Sequence, residues 1–128
     1  MGPSQEDRTV RLTIPARPEY TGLVRLALAA VCGLTSLGPA DVADLKLAVS
    51  EAANDLLGPR TAHASPTAPV GRLRFELELE AARLTFRVEA DQPRPEIGEE
   101  RELSRAIVEA TVDEWEYESC ATRLVKYL

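Results

Sequence analysis

From Arg72 to Glu80 apolar and polar residues alternate with period two. Leu73, Phe75, Leu77 and Leu79 fall on one face; Arg74, Glu76, Glu78 and Glu80 fall on the other. After a short turn at Ala81-Ala82 the alternation resumes, with Leu84, Phe86, Val88 and Ala90 opposite Thr85, Arg87 and Glu89. A period of two is the signature of a strand, so this stretch predicts a hairpin with one buried and one wet face. Val10 to Ile14 alternates in the same way and predicts an earlier strand, ended by Pro15. Trp115 to Tyr117 and Cys120 to Leu128 predict two more.

Between the strands the period changes. Pro18 and Glu19 suit the first turn of a helix, where proline loses no needed hydrogen bond and acid favours the dipole. The stripe expected to face inward there is Leu23, Leu26, Ala27, Ala30, Val31 and Leu34, leaving Arg25 exposed. Gly38-Pro39 breaks the chain and opens a second helix, with Asp41 and Asp44 in or near its first turn. Leu45, Ala48, Val49, Ala52 and Leu56 form its core face, and Gly58-Pro59 is the expected stop. Arg60 to Gly71 reads as a loop holding the sole histidine, His63, expected to be a surface residue. Asp91 to Gly98 reads as another loop. Glu100 to Val112 predicts a third helix, with Leu103, Ala106, Ile107 and Ala110 inward.

The predicted order is strand, two helices, two strands, helix, two strands. One-sided strands need cover on a single face. The expected fold class is therefore α+β: a two-layer sandwich with three helices on one face of a mixed, mostly antiparallel sheet. At 128 residues the chain is long enough for one real core. The expected division is a flexible terminus at 1–8 and a single domain at 9–128.

Charge narrows the partners. The formal net charge is −6 with no basic cluster, which makes nucleic acid a poor partner, because phosphate binding needs dense Lys and Arg. A basic surface on another protein is a better match. Cys32 and Cys120 lie far apart, without metal-type spacing, and read as buried free thiols of a cytosolic protein. Met1 to Arg8 is polar and carries acid, so no secretory leader is expected. The apolar run from Leu26 to Leu34 is too short to cross a bilayer.

The second helix carries the candidate chemistry. Glu51 and Asp55 stand four residues apart, on the same side, so two carboxylates converge. Such a pair can hold a metal-bound nucleotide, activate a hydroxyl, or form a solvated acidic face.

The segments Val10 to Tyr20, Asp44 to Glu51 and Leu124 to Leu128 together resemble the anti-sigma-factor serine kinases of bacterial partner-switching systems. These are the RsbW-like members of the GHKL (Bergerat-fold, histidine kinase-like) ATPase superfamily. The resemblance implies an α/β sandwich, agreeing with the element order. It also implies a protein that holds a sigma factor inactive and phosphorylates a serine on a STAS-type antagonist. Active members bind Mg-ATP between the long helix and the sheet, using a Glu as base and an Asn four residues later for magnesium. On that correspondence Glu51 matches the base and Asp55 takes the magnesium position, with Asn54 one residue early. Aspartate still offers oxygen to magnesium. Asp91 matches the adenine-reading aspartate, and Thr122 lies near the family's late Gly-Thr pair, displaced by one.

The chain also departs from the pattern. Gln92-Pro93 replaces a glycine after Asp91, and the connection to the third helix is short. Glu99 to Ser104 stands where the family has a glycine-rich turn whose amides approach phosphate closely. At an effective dielectric of about 20, charges about 4 Å apart interact by roughly 4 kcal/mol, so acid there opposes a triphosphate. The expected function is accordingly an anti-sigma-like regulator that binds partners without a cofactor, with Glu51, Asp55, Asp91 and Thr122 as a vestigial ATP site. Arg25 matches an exposed arginine of the family's partner face and is the expected contact for a sigma factor or antagonist. Family members commonly form homodimers, and the same is expected here. The alternatives are an active Mg-ATP-dependent serine kinase using Glu51, Asp55 and Asp91, and a scaffold unrelated to sigma factors.

Overall fold

The structure is a computed structural model and describes residues 8–62, 70–95 and 99–128, the side chains of 58–62, 99 and 100 excepted. Its strands are β1 (Arg8–Pro15), β2 (Arg72–Leu79), β3 (Arg83–Ala90), β4 (Glu114–Tyr117) and β5 (Ala121–Tyr127). Its helices are α1 (Thr21–Cys32), preceded by a 3-10 turn at Pro18–Tyr20, α2 (Pro39–Ala62) and α3 (Glu99–Thr111). The strands form one sheet in the order β1-β2-β3-β5-β4. The helices cover one face, giving the expected two-layer α+β sandwich. Every pairing is antiparallel, so the sheet is not mixed: the only non-sequential neighbours, β3 and β5, also run in opposite directions.

The hairpin forms as its alternation dictates. Leu73, Phe75, Leu77 and Leu79 of β2 and Leu84, Phe86, Val88 and Ala90 of β3 are all buried. The register pairs Leu79 with Leu84, and the Glu80 N–H donates to the Arg83 carbonyl at 2.9 Å to close the turn. Above these residues lies α2, whose Leu45, Ala48, Val49, Ala52 and Leu56 are buried as expected, joined by Ala53 and Leu57. Burying a side chain of Leu size contributes about 1.5–3 kcal/mol relative to leaving it exposed, so α2 is the central beam of the core.

Three expectations need correction. α2 does not stop at Gly58-Pro59 but runs to Ala62. The first turns beyond Leu57 continue an axis already fixed by packing, which outweighs the local breakers. In α1 the buried residues are Thr21, Val24, Leu28, Val31 and Cys32, whereas Leu23, Leu26 and Ala30 are exposed, as is Leu34 just past the helix end. Almost every position of this helix is apolar, so its pattern does not single out a face. In α3, Leu103, Ala106 and Ala110 point outward; Val108 is buried, and Val112, just past the helix end, is buried too. There the inward face is polar over its first two turns, for a reason that lies in the site. His63 and the loop expected around it fall outside the described residues, as do 1–7.

Candidate functional site

Glu51 and Asp55 do stand together on α2, facing α3, while Asn54 is exposed. Glu51 is half-buried, and Asp55 is not a solvated acid. Asp55 is only 5% exposed and both its oxygens are occupied. Oδ2 accepts from Nη1 of Arg94, and Oδ1 accepts from Nε of Arg101 at 3.2 Å. Glu51 Oε1 accepts from the Ser104 hydroxyl at 2.6 Å.

Arg94 is the centre of this arrangement. It follows β3 in the connection to α3, and its backbone N–H donates to the Ser119 carbonyl at 2.8 Å. Its side chain, 6% exposed, crosses to α2 for Asp55. Its Nη2 donates to the carbonyls of Glu118 and Ala121, both at 2.8 Å, and to Thr122 Oγ1 at 3.0 Å. Burial pulls the guanidinium below the ordinary arginine range, against the pull of Asp55 in the other direction. It remains a cation at neutral pH, as arginine does in proteins. The Tyr117 ring lies beneath two guanidiniums, Arg105 at 4.0 Å and Arg94 at 5.7 Å from its centroid. Such stacking is favourable for a cation. Burial, and then Glu109, push the Tyr117 phenol up to about 12.

The inward polar face of α3 now has its cause. Arg101, Ser104 and Arg105 repeat at helical spacing and meet the two α2 carboxylates and Tyr117. A buried charge is tolerable only when paired and hydrogen-bonded. The α2 acids therefore draw the polar side of α3 inward and leave Leu103 in solvent. Two donors in the cluster, Arg101 Nη2 and Arg105 Nε, are buried with no partner among the described residues.

Thr122 joins the cluster through Arg94 and is fully buried. Asp91 does not join it. Its Oδ2 accepts from the Arg72 N–H at 2.9 Å and its Oδ1 from Arg74 Nη1 at 2.7 Å, both on β2. Those two bonds hold its carboxyl below the usual range. Gly71 lies against the same carboxylate with φ +77°, where a Cβ would sit 3.2 Å from Oδ2. That backbone region favours glycine. Arg25 is exposed and donates to Ser50 Oγ at 3.1 Å across the α1–α2 seam.

The sequence reading identified the acceptors and missed the donors Arg94, Arg101, Ser104 and Arg105. The signal was present: Arg101, Ser104 and Arg105 stand at i, i+3 and i+4 on one helix face, as Glu51 and Asp55 stand at i and i+4 on another. In this arrangement each Asp55 oxygen already accepts from a guanidinium, and a divalent cation needs several carboxylate, carbonyl or water oxygens around it. Among the described residues no group of three or more His, Cys, Asp or Glu is disposed to hold a metal. No helix among them is long and apolar enough to cross a membrane.

Residues 14–123 match the model of the histidine kinase-like ATPase domain. A stretch of the chain is 49% identical over 43 residues to the serine-protein kinase RsbW of Bacillus velezensis, taking in 34% of this chain and 27% of that relative. The RsbW of Bacillus subtilis is 42% identical over a stretch of the same length and coverage. The matched stretch is thus about a quarter of these relatives' length. A crystal structure of the RsbU and RsbW domains of a Mycobacterium tuberculosis protein shares the fold, with a TM-score of 0.65 at 16% identity. It covers 93% of this chain and 31% of that one.

Proposed function

The chain belongs to the histidine kinase-like ATPase domain family, and from that premise we propose that it is a protein-binding regulator of bacterial transcription. It acts as an anti-sigma-factor-like partner switch, in the cytoplasm and as a homodimer, without kinase chemistry. The observation that carries this reading is the occupation of Asp55 by Arg94 and Arg101. An aspartate offered to magnesium would need open oxygens, and a triphosphate would need room between α2 and the sheet. Arginine side chains take up the first and cross the second. Glu51 is then a vestigial base whose carboxylate serves Ser104, and Asp91 and Thr122 are vestigial nucleotide contacts given over to Arg74 and Arg94.

The relatives named RsbW are serine-protein kinases. The partners proposed for this chain are a sigma factor and a small STAS-type antagonist, competing for it by mass action. Arg25 and the exposed Leu23 and Leu26 of α1 offer a surface of apolar contact with a cation in its midst.

The test is capture from a lysate of the native host after enzymatic removal of ATP. Retention of a sigma factor that an added antagonist displaces without nucleotide is the expected result. Transfer of labelled phosphate from ATP to a captured antagonist, lost in Glu51→Ala, would contradict it.

A further inference from the structure

We propose that Arg94 is an internal substitute for a divalent cation: its guanidinium stands before Asp55 and latches the open end of the sandwich shut. This rests on the reading of the site as one without nucleotide chemistry, and it adds what holds the site together instead.

The latch spans both layers. From one side chain in the β3–α3 connection, Arg94 reaches Asp55 on α2, the Glu118 carbonyl in the β4–β5 turn, and the Ala121 carbonyl and Thr122 hydroxyl of β5. A planar fork with several fixed donors can serve such acceptors together; a single ammonium cannot. Attachment of Arg94 to the sheet is then a property of the chain itself and needs no ligand.

The docking of α3 depends on the same cluster. Its first two turns meet α2 through Arg101 on Asp55 and Ser104 on Glu51. Leu103 beside them is 65% exposed, and buried apolar anchors appear only at Val108 and Val112. Nothing apolar among the described residues of those turns holds them if the polar contacts fail. The cluster is also rich in cations. Arg101 and Arg105 lie close enough to act on Arg94 electrostatically, while Asp55 is the one carboxylate among the described residues bonded to Arg94 or Arg101. Two buried N–H donors have no acceptor among the described residues. Unmet buried donors are costly, so this end of the fold opens more readily than the hairpin core, and an added metal ion finds no welcome while Arg94 is in place.

Amide hydrogen exchange on the full chain tests the latch. In Arg94→Met, amides of the described residues from Arg94 to Arg105 are expected to exchange about tenfold faster or more, while the β2–β3 hairpin keeps wild-type protection. Methylguanidinium at low, non-denaturing concentration is expected to restore that protection, and sodium is not. Unchanged exchange in Arg94→Met, or a loss that methylguanidinium does not reverse, would overturn the proposal. Should Arg94→Met not fold, Arg101→Met supplies the reading: faster exchange confined to the first turns of α3 supports the latch, and wild-type exchange there overturns it. A rise in wild-type protection on adding Mg-ATP is a different outcome, which would defeat the functional reading itself.

Discussion

At the scale of single residues, Asp55 is where physical chemistry is most exacting. Its place beside Glu51 was legible, because four residues on a helix make neighbours. Its partners were not, because Arg94 and Arg101 come from segments that reach it only through the tertiary fold. Removing one member of a buried pair strands the other charge, which costs about 3–5 kcal/mol. Asp55→Ala should therefore lower the urea-unfolding free energy by about that amount, leaving Arg94 and Arg101 without their carboxylate. Arg94→Lys should recover little of the loss in an Arg94 variant, since one ammonium cannot replace the fork. Tyr117 gives a prediction in pH. Its folded pKa, about 12, lies above the ordinary phenol value of about 10, so the fold favours the neutral ring. Its contribution is fully present below about pH 10 and is lost as pH rises through the interval to about 12, because the unfolded chain releases the proton first. Denaturation followed across that range should show a steeper loss of stability in the wild type than in Tyr117→Phe.

Among the elements, strands were more legible than helix faces. β2 and β3 have polar residues at every second position, so only one face could be buried, and that face is the buried one. α1 gives no such contrast: with Arg25 its only charge, several apolar stripes compete, and Val24 and Leu28 win over Leu23 and Leu26. α3 does show contrast, but the polar side faces inward to meet Asp55 and Glu51, reversing the rule that apolar residues point to the core. The corrected α1 face can be tested by unfolding two variants. Leu28→Ala should cost about 2–5 kcal/mol as a core truncation, and Leu26→Gln should stay within about 0.5 kcal/mol of wild type. Equal losses would mean that the helix is rotated from its described position.

For the molecule as a whole, element order and the two-layer sandwich followed from periodicity alone, since one-sided strands admit few ways of covering a single wet-backed sheet. The site followed in part. The resemblance pointed to Glu51 and Asp55 on α2, yet only the folded chain brings Arg94 between that helix and β5. This contact lies inside the framework of a histidine kinase-like ATPase domain, where Asp55 of the long helix is held by two of the chain's own guanidiniums. The central claim is that no nucleotide is used there, and titration calorimetry of the wild-type chain with Mg-ATP tests it most directly. The account predicts no saturable heat up to millimolar nucleotide. Micromolar binding that disappears in Asp55→Asn would contradict it.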